Sequence, residues 1–299
     1  MSRPVSSPSP HRRGPWSRII GGLCLLATLA LLQACSTVSL GYNRAQGLAH
    51  WWLDSQVDLT EAQSALVRTE LARLHRWHRR EALPRYAELL QRWQAMAPGE
   101  LSAQQACAEY ARARDLLLEG LPRVVPGLAS LAQRLGPEQL AHLQRQHAKA
   151  NQGFHDDYLA RPAKALERRA KRLRERLEMF YGPLDTQQQR LIRERLAQGS
   201  FDAARLLEER ERQQADMLQT AAAIRGQPDA TAQGLVQAAL GRMLESPSET
   251  YRAQARAWTQ ETCEVVALVH QRSNPQQRQA AAQALRDHAD ELLRLAQQD

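Results

Sequence analysis

The stretch LTEAQ at residues 59–63, which continues as SALVRTELARLHRW to Trp77, contains the pattern that decides the fold. Thr60 followed three residues later by Gln63 allows the two side chains to bond the first free backbone N–H groups of a helix, as in a capping box. Apolar residues then recur at helical spacing and share one face: Leu66, Val67, Leu71, Leu74 and Trp77. We therefore predict an amphipathic helix that begins at Thr60.

The same signal for a helix start recurs four more times along the chain. It occurs at Leu101-Ser102-x-x-Gln105, Leu135-Gly136-Pro137-x-Gln139, Leu184-Asp185-x-x-Gln188 and Asn274-Pro275-x-Gln277. The intervals between successive signals are about 42, 34, 49 and 90 residues, which is too unequal for a solenoid of equal repeats. The pattern indicates separate helix starts.

The composition between these starts favours helices throughout. Alanine, leucine, glutamine, glutamate and arginine dominate, and all are good helix formers. Because the connections are short, neighbouring helices should run antiparallel, and we predict an all-α fold, a compact bundle of about 9–11 helices. The predicted helices cover 43–55, 60–96 with a bend near Pro84, 102–121, 123–134, 137–159, 162–181, 186–198, 202–225, 229–244, 248–272 and 275–297.

The N-terminus has the layout of a lipoprotein signal. Arg12, Arg13 and Arg18 precede the apolar run 19–32, and Cys35 follows it directly. The run is short for a transmembrane helix, which needs roughly 20 residues, and a basic segment followed by such a run is typical of a secretory signal. A cysteine just after the cleavage point is the residue that bacteria acylate.

We therefore expect a cleaved signal peptide over 1–34, a lipidated N-terminus and short tether over 35–42, and one all-helical domain over 43–299. Ser36 after the cysteine favours the outer membrane, with the protein on its periplasmic face. Gln33 is bulkier than the residue usual two positions before the cysteine. Plain secretion and an uncleaved anchor are the alternatives.

Removal of residues 1–34 changes the meaning of the net charge. The whole chain carries +8, but the signal contains four basic residues and no acid, so the mature chain carries +4. An exported protein does not meet chromosomal DNA or cellular RNA, so we exclude nucleic acid in spite of the basic balance. The expected partners are the membrane, through the anchor, and anionic lipid or an envelope protein. No cofactor is expected.

Cys107 and Cys263 remain after processing, as an even pair in an oxidising compartment. A disulfide between them and two separate buried thiols are both compatible with the sequence. No CxxC or HExxH spacing occurs, so we predict no metal site.

Three polar residues lie on or beside apolar helix faces. His78 and Glu81 are three residues apart, and their pairing would raise the imidazole pKa. His270 lies seven residues after Cys263, on one stripe of its helix. Each is a candidate for a ligand or acid/base site. The alternatives are a polar pair that fixes helix register, and a histidine that donates to a loop carbonyl or caps a helix C-terminus.

Two further segments suggest membrane contact. Residues 161–176 place eight basic residues opposite an apolar stripe, which is typical either of a helix on anionic lipid or of a solvated face with internal ion pairs. Trp51-Trp52 lies close to the anchor and suits the membrane interface. Because adjacent residues point about 100° apart on a helix, we expect one of the two tryptophans in the core.

The order of several motifs resembles a family of uncharacterised Gram-negative lipoproteins, domain-of-unknown-function family 6279. The motifs are Cys35 to Asn43, Trp51-Trp52-Leu53-Asp54, Asp58 to Gln63, Trp77-His78-Arg79-x-Glu81-x-Leu83-Pro84-x-Tyr86, Phe180-Tyr181-Gly182-x-Leu184 and Cys263-x6-His270-x7-Arg278. Where the family usually has tryptophan before Tyr-Gly, this chain has Phe180. The resemblance implies an envelope lipoprotein and brings no known activity.

The sequence contains no catalytic motif such as GxSxG or a Walker loop, so we expect binding rather than catalysis. The expected function is that of an outer-membrane lipoprotein that binds or supports other envelope components. One alternative is a periplasmic chaperone, because LTxxQ at 59–63 is similar to the motif of small helical chaperones. A hydrolase of cell wall or lipid is the third, and it requires a pocket that joins His78, Glu81 and another polar group.

Overall fold

Helices dominate the part of the chain that the computed structural model describes, residues 39–298. The chain divides into a unit that ends at Ala45 and a body that begins at Gln46. No strand occurs in residues 39–298, so the predicted all-α fold is confirmed. The predicted signal peptide and Cys35 lie outside the described residues.

Residues 45–298 form twelve α-helices and one π-helical turn, His78–Ala82, which joins α2 to α3, and residues 39–43 before them are also helical. The bounds are α1 Ala45–Val57, α2 Glu61–Trp77, α3 Leu83–Met96, α4 Ala103–Leu118, α5 Leu121–Ala132, α6 Pro137–Tyr158, α7 Pro162–Tyr181, α8 Thr186–Gln198, α9 Ala203–Ile224, α10 Asp229–Leu244, α11 Glu249–Gln271 and α12 Pro275–Ala296.

The π-helical turn divides the segment that the sequence predicts as one helix over 60–96, bent near Pro84. Pro84 has no N–H to donate to the carbonyl of Arg80, so the ordinary helical bond is lost at this point. The N–H of Leu83 bonds instead to the carbonyl of His78, five residues back. The extra residue in the turn places His78 and Glu81 on a segment that follows neither α2 nor α3 in register.

The helices pair in a nested order around the α7–α8 connection. The pairs in contact are α7 with α8, α6 with α9, α5 with α10, α4 with α11 and α3 with α12. In α6 and α9, Asn151 bonds Gln214 and Phe154 lies beside Arg210, so residue numbers rise along one helix as they fall along the other. Arg79 before α3 bonds the carbonyl of Gln298 after α12. Both pairs therefore run antiparallel. The chain thus folds back along its own length, and most helices pack against a partner far away in sequence.

The apolar interior consists of several small clusters between these pairs. Val57 and Val67 belong to one, and the other buried members of it come from α5, from α6 and from the turn between these two helices. Another joins Val125 of α5 to Val236 of α10, and a third joins Ile192 of α8 to Val265 of α11. Among the described residues, no helix has the length and apolar character that a membrane crossing requires.

Candidate functional site

The glutamines of the capping boxes bond to one another across the body. Gln63 and Gln139 each accept the N–H of the N-cap residue of their own helix, over 2.9 and 3.0 Å. Their amides are also reciprocally bonded, over 3.0 and 2.7 Å between Nε2 and Oε1. Each Nε2 further donates, over 2.7 Å, to the carbonyl two residues before the partner's N-cap, at Arg134 and at Asp58.

The starts of α8 and α12 repeat this arrangement. Gln188 and Gln277 exchange Nε2–Oε1 hydrogen bonds of 3.0 and 3.1 Å. Gln188 Nε2 also contacts the carbonyl of Arg272 over 3.3 Å, and Gln277 Nε2 that of Pro183 over 3.0 Å. Four of the five predicted helix-start signals therefore form two pairs, each of which joins two distant helix starts.

The fifth signal behaves differently. Gln105 is exposed and accepts the N–H of Ser102 in its own helix over 2.8 Å. By contrast, the side chain of Gln63 is buried, with 4 % of the residue exposed. The LTxxQ motif at 59–63 caps its helix and bonds the start of α6. The motif thus has a structural role here and lends no support to the chaperone alternative.

The π-helical turn carries the first predicted polar pair, and its two members have different surroundings. The imidazole of His78 packs edge-on against Tyr86 and Trp77, with ring centroids 5.5 and 6.2 Å away. The carboxylate of Glu81 accepts hydrogen bonds from Trp77 Nε1 and from Arg123 Nη2, each over 2.9 Å. Glu81 thus ties the turn to the start of α5.

The predicted effect of Glu81 on His78 is wrong in sign. Burial lowers the pKa of His78, and the neighbouring His75 lowers it further. The carboxylate that was expected to raise the pKa is directed at a guanidinium and an indole. His78 therefore favours its neutral form and offers no positive charge to a bound ligand at neutral pH.

An open groove runs between α3 and α4 beside this turn, with a volume of about 710 Å3. The charged side chains that line it form ion pairs with one another. Arg85 forms an ion pair with Glu119, and Arg92 and Arg112 approach the buried Glu109 at 2.9 and 3.7 Å. A smaller cavity of about 110 Å3 adjoins it beneath Glu81, Tyr86 and Arg123. The groove offers guanidinium and carboxylate groups to a polar ligand.

His270 is buried, with 2 % of the residue exposed, and both ring nitrogens are bonded. Nε2 lies 2.8 Å from the carbonyl of Gly99, and Nδ1 lies 2.8 Å from the hydroxyl of Tyr181. Burial raises the pKa of Tyr181 to about 12, so the hydroxyl stays protonated. His270 ties the end of α11 to the α3–α4 connection and to α7, the role that the loop-carbonyl alternative describes.

Cys107 of α4 and Cys263 of α11 form a disulfide, with their Cα atoms 5.3 Å apart. The bond links one of the nested helix pairs across 156 residues of sequence. The predicted candidates are thus only partly brought together: the two cysteines meet, whereas His78 with Glu81 and His270 contact different helices.

The basic segment of α7 is largely engaged with the rest of the body. The guanidinium of Arg169 lies 3.9 Å from the ring centroid of Phe201, and Arg172 bonds the hydroxyl of Tyr158. Further ion pairs are Arg168 with Asp157, Lys171 with Glu175, Arg174 with Glu178 and Arg193 with Glu167. These contacts agree with the alternative of a solvated, internally paired face.

Both tryptophans of α1 are exposed, Trp51 by 68 % and Trp52 by 56 %, so the expectation that one lies in the core is wrong. The reason is the narrow buried face of α1. Val57 is buried and Leu53 packs against the same cluster, but these positions leave most of the helix circumference uncovered. Two residues 100° apart then both face outward.

One buried polar network has no signal in the sequence. Glu209 of α9 is 4 % exposed and accepts from Arg212, Gln213 and Ser246. Burial alone would raise its pKa, but these hydrogen bonds hold the pKa below the usual range. Because Glu209 stands within a run of charged residues, its sequence context resembles that of a solvated position. The network fixes the connection between α10 and α11.

Comparison with known proteins yields one match. The model of a family of unknown function, DUF6279, matches residues 55–256, about two thirds of the chain. No curated protein and no solved structure matches the chain.

Proposed function

Since the chain belongs to the DUF6279 family, whose function is unknown, we propose its role from its own residues: an outer-membrane lipoprotein that acts by binding. In this proposal residues 1–34 are removed, Cys35 receives the lipid, and the helical body faces the periplasm. The partner is another envelope component.

The disulfide between Cys107 and Cys263 is the observation that carries the proposal. Disulfides persist in oxidising compartments and are rare in the cytoplasm. The disulfide is a feature of the folded body, whereas the signal pattern is a feature of residues 12–36. Two independent features of the chain thus favour export, and Cys35 adds the means of attachment.

Binding is favoured over catalysis by the way the candidate residues are used. Glu81 is engaged by Arg123, and His270 by Gly99 and Tyr181, so each serves to hold helices together. The groove between α3 and α4 is an open concave surface of about 710 Å3, and its paired charges suit a polar partner surface. We assign binding to this groove.

Metabolic labelling with palmitate tests the anchor. Cys35→Ala should abolish labelling and leave the precursor uncleaved, because the thiol is the acylation site. Cys24→Ala is the matched control, since Cys24 lies inside the apolar run and should be processed normally. Normal labelling and cleavage of the Cys35→Ala precursor would refute the lipoprotein assignment.

Photo-crosslinking in cells tests the binding role. A photoreactive residue at Ala111, which is exposed in the groove, should capture an envelope partner. The same residue at Ala163, which is exposed on α7, is the control. Equal capture at the two positions, or none at Ala111, would contradict the assignment of the groove.

A further inference from the structure

The first helix of the body carries an exposed apolar face. Leu48, Trp51 and Trp52 are 60 %, 68 % and 56 % exposed. Their spacing of three and four residues places them on one side of α1. We call these three residues the tryptophan face. Grouped exposed apolar side chains of this kind mark a surface that contacts another phase or molecule.

The opposite side of α1 holds this face outward. Val57 is buried in a cluster with Val67 of α2. His50 Nε2 bonds Ser64 Oγ over 2.6 Å, and Asp54 Oδ1 accepts a backbone N–H from the turn that follows, over 3.0 Å. Because these contacts fix the rotation of α1 on the body, the tryptophans cannot turn inward.

The two exposed indoles differ from others in the chain. Trp77 and Trp93 each donate their indole N–H to a glutamate carboxylate over 2.9 Å. No such acceptor meets the indole N–H of Trp51 or Trp52 within residues 39–298. An exposed apolar ring with a free N–H matches the membrane–water interface, where the ring meets acyl chains and the N–H meets head groups or water.

The position of the proposed anchor selects the occupant of the tryptophan face. Leu48 follows Cys35 by 13 residues. A chain spans at most about 3.5 Å per residue, so the face lies within about 45 Å of the acylated residue along the chain. We infer that the tryptophan face rests in the interface of the phospholipid leaflet that holds Cys35, and that it sets the orientation of the body on the membrane. This inference rests on the proposed anchoring.

Depth-dependent quenching tests the inference on the full chain. The lipoprotein is reconstituted in phosphatidylcholine vesicles with and without lipids brominated near the top of the acyl chain, and flotation is measured in parallel. Five tryptophans follow residue 34, of which two belong to the face, so emission should fall by about two fifths if the indoles emit equally. Trp51→Phe with Trp52→Phe should remove this quenching. Trp258→Phe, which changes a partly buried indole beside Phe201, should leave it intact.

Flotation separates the two proposals. Protein that floats with the vesicles and is quenched only when Trp51 and Trp52 are present supports the inference. Floating protein without quenching, or with quenching that survives the double substitution, overturns the inference and leaves the anchor standing. Unquenched protein that cross-links through α1 into dimers identifies a second copy as the occupant and also overturns it. Protein that does not float overturns both proposals.

Discussion

Replacement of Gln188 by alanine tests whether the paired glutamines stabilise the fold beyond ordinary helix capping. Gln188 is 1 % exposed, and its amide takes part in four hydrogen bonds. It accepts from the backbone of Asp185 and from Gln277, and it donates to Gln277 and to the carbonyl of Arg272. Each bond contributes about 1 kcal/mol, and the better helix propensity of alanine returns a few tenths. Gln188→Ala should therefore lower the free energy of unfolding by about 3–4 kcal/mol.

Gln105→Ala is the matched control for this change. Gln105 holds the same position in its helix, three residues after the N-cap, and its amide accepts one bond, from Ser102. Its loss should therefore lower the free energy of unfolding by about 0.5–1 kcal/mol. The comparison holds residue type, substitution and helix position constant, and varies only burial and the cross-bond.

Urea unfolding followed by circular dichroism, with the disulfide intact, measures both variants by linear extrapolation. Gln63→Ala should match Gln188→Ala, because Gln63 has the same set of bonds to Gln139 and to a distant carbonyl. The double change of Gln188 and Gln277 should show a coupling of about 1–2 kcal/mol. Equal losses for Gln188→Ala and Gln105→Ala would refute the view that the pairing, rather than the cap, stabilises these helix starts.

Three further perturbations follow from the site geometry. Substitution of Cys107 and Cys263 by serine should lower the free energy of unfolding by about 3–5 kcal/mol, since the bond joins residues 156 positions apart in sequence, and an unchanged urea midpoint would contradict this. Tyr181→Phe should cost about 1–2 kcal/mol by leaving the Nδ1 atom of His270 without its partner, and full retention of stability would show that the bond contributes nothing. Burial lowers the pKa of His78 in the folded protein below 6.5, so the unfolded chain takes up a proton first, and the free energy of unfolding should decline as the pH falls below about 6.5. His78→Gln should flatten this part of the stability–pH curve. An unaltered curve would rule out His78 as the source of the decline.

The helix bounds were predictable because the signals that set them are local. The predicted ranges 162–181, 186–198 and 229–244 coincide with α7, α8 and α10, where proline, a capping residue or a glycine marks each end. A capping box and an apolar stripe involve only residues within one or two turns. Neither depends on which helix lies opposite.

The pairing of the glutamines could not be predicted in the same way. Within one helix, Gln63 and Gln105 occupy identical positions and cap identically. Only the approach of a second helix start makes Gln63 a buried donor, and that approach depends on the whole chain. The error over Trp51 and Trp52 has a similar origin, because the helical wheel gives the angle between two side chains but not the width of the face that a neighbour covers.

The nested order of the helix pairs gives these long-range bonds a further consequence. Of the five nested pairs, only α7 and α8 are adjacent in sequence, whereas the apolar side of α3 is covered only when α12 packs against it. Contacts between residues far apart in sequence are slow to form, and their absence leaves apolar surface open. The bonds of Gln188 with Gln277 and of Cys107 with Cys263 each join a helix that comes earlier in the chain to one of the last two helices. A chain of this design reaches its final packing only when its last two helices are available, which agrees with the export proposed above, in which the disulfide forms after translocation.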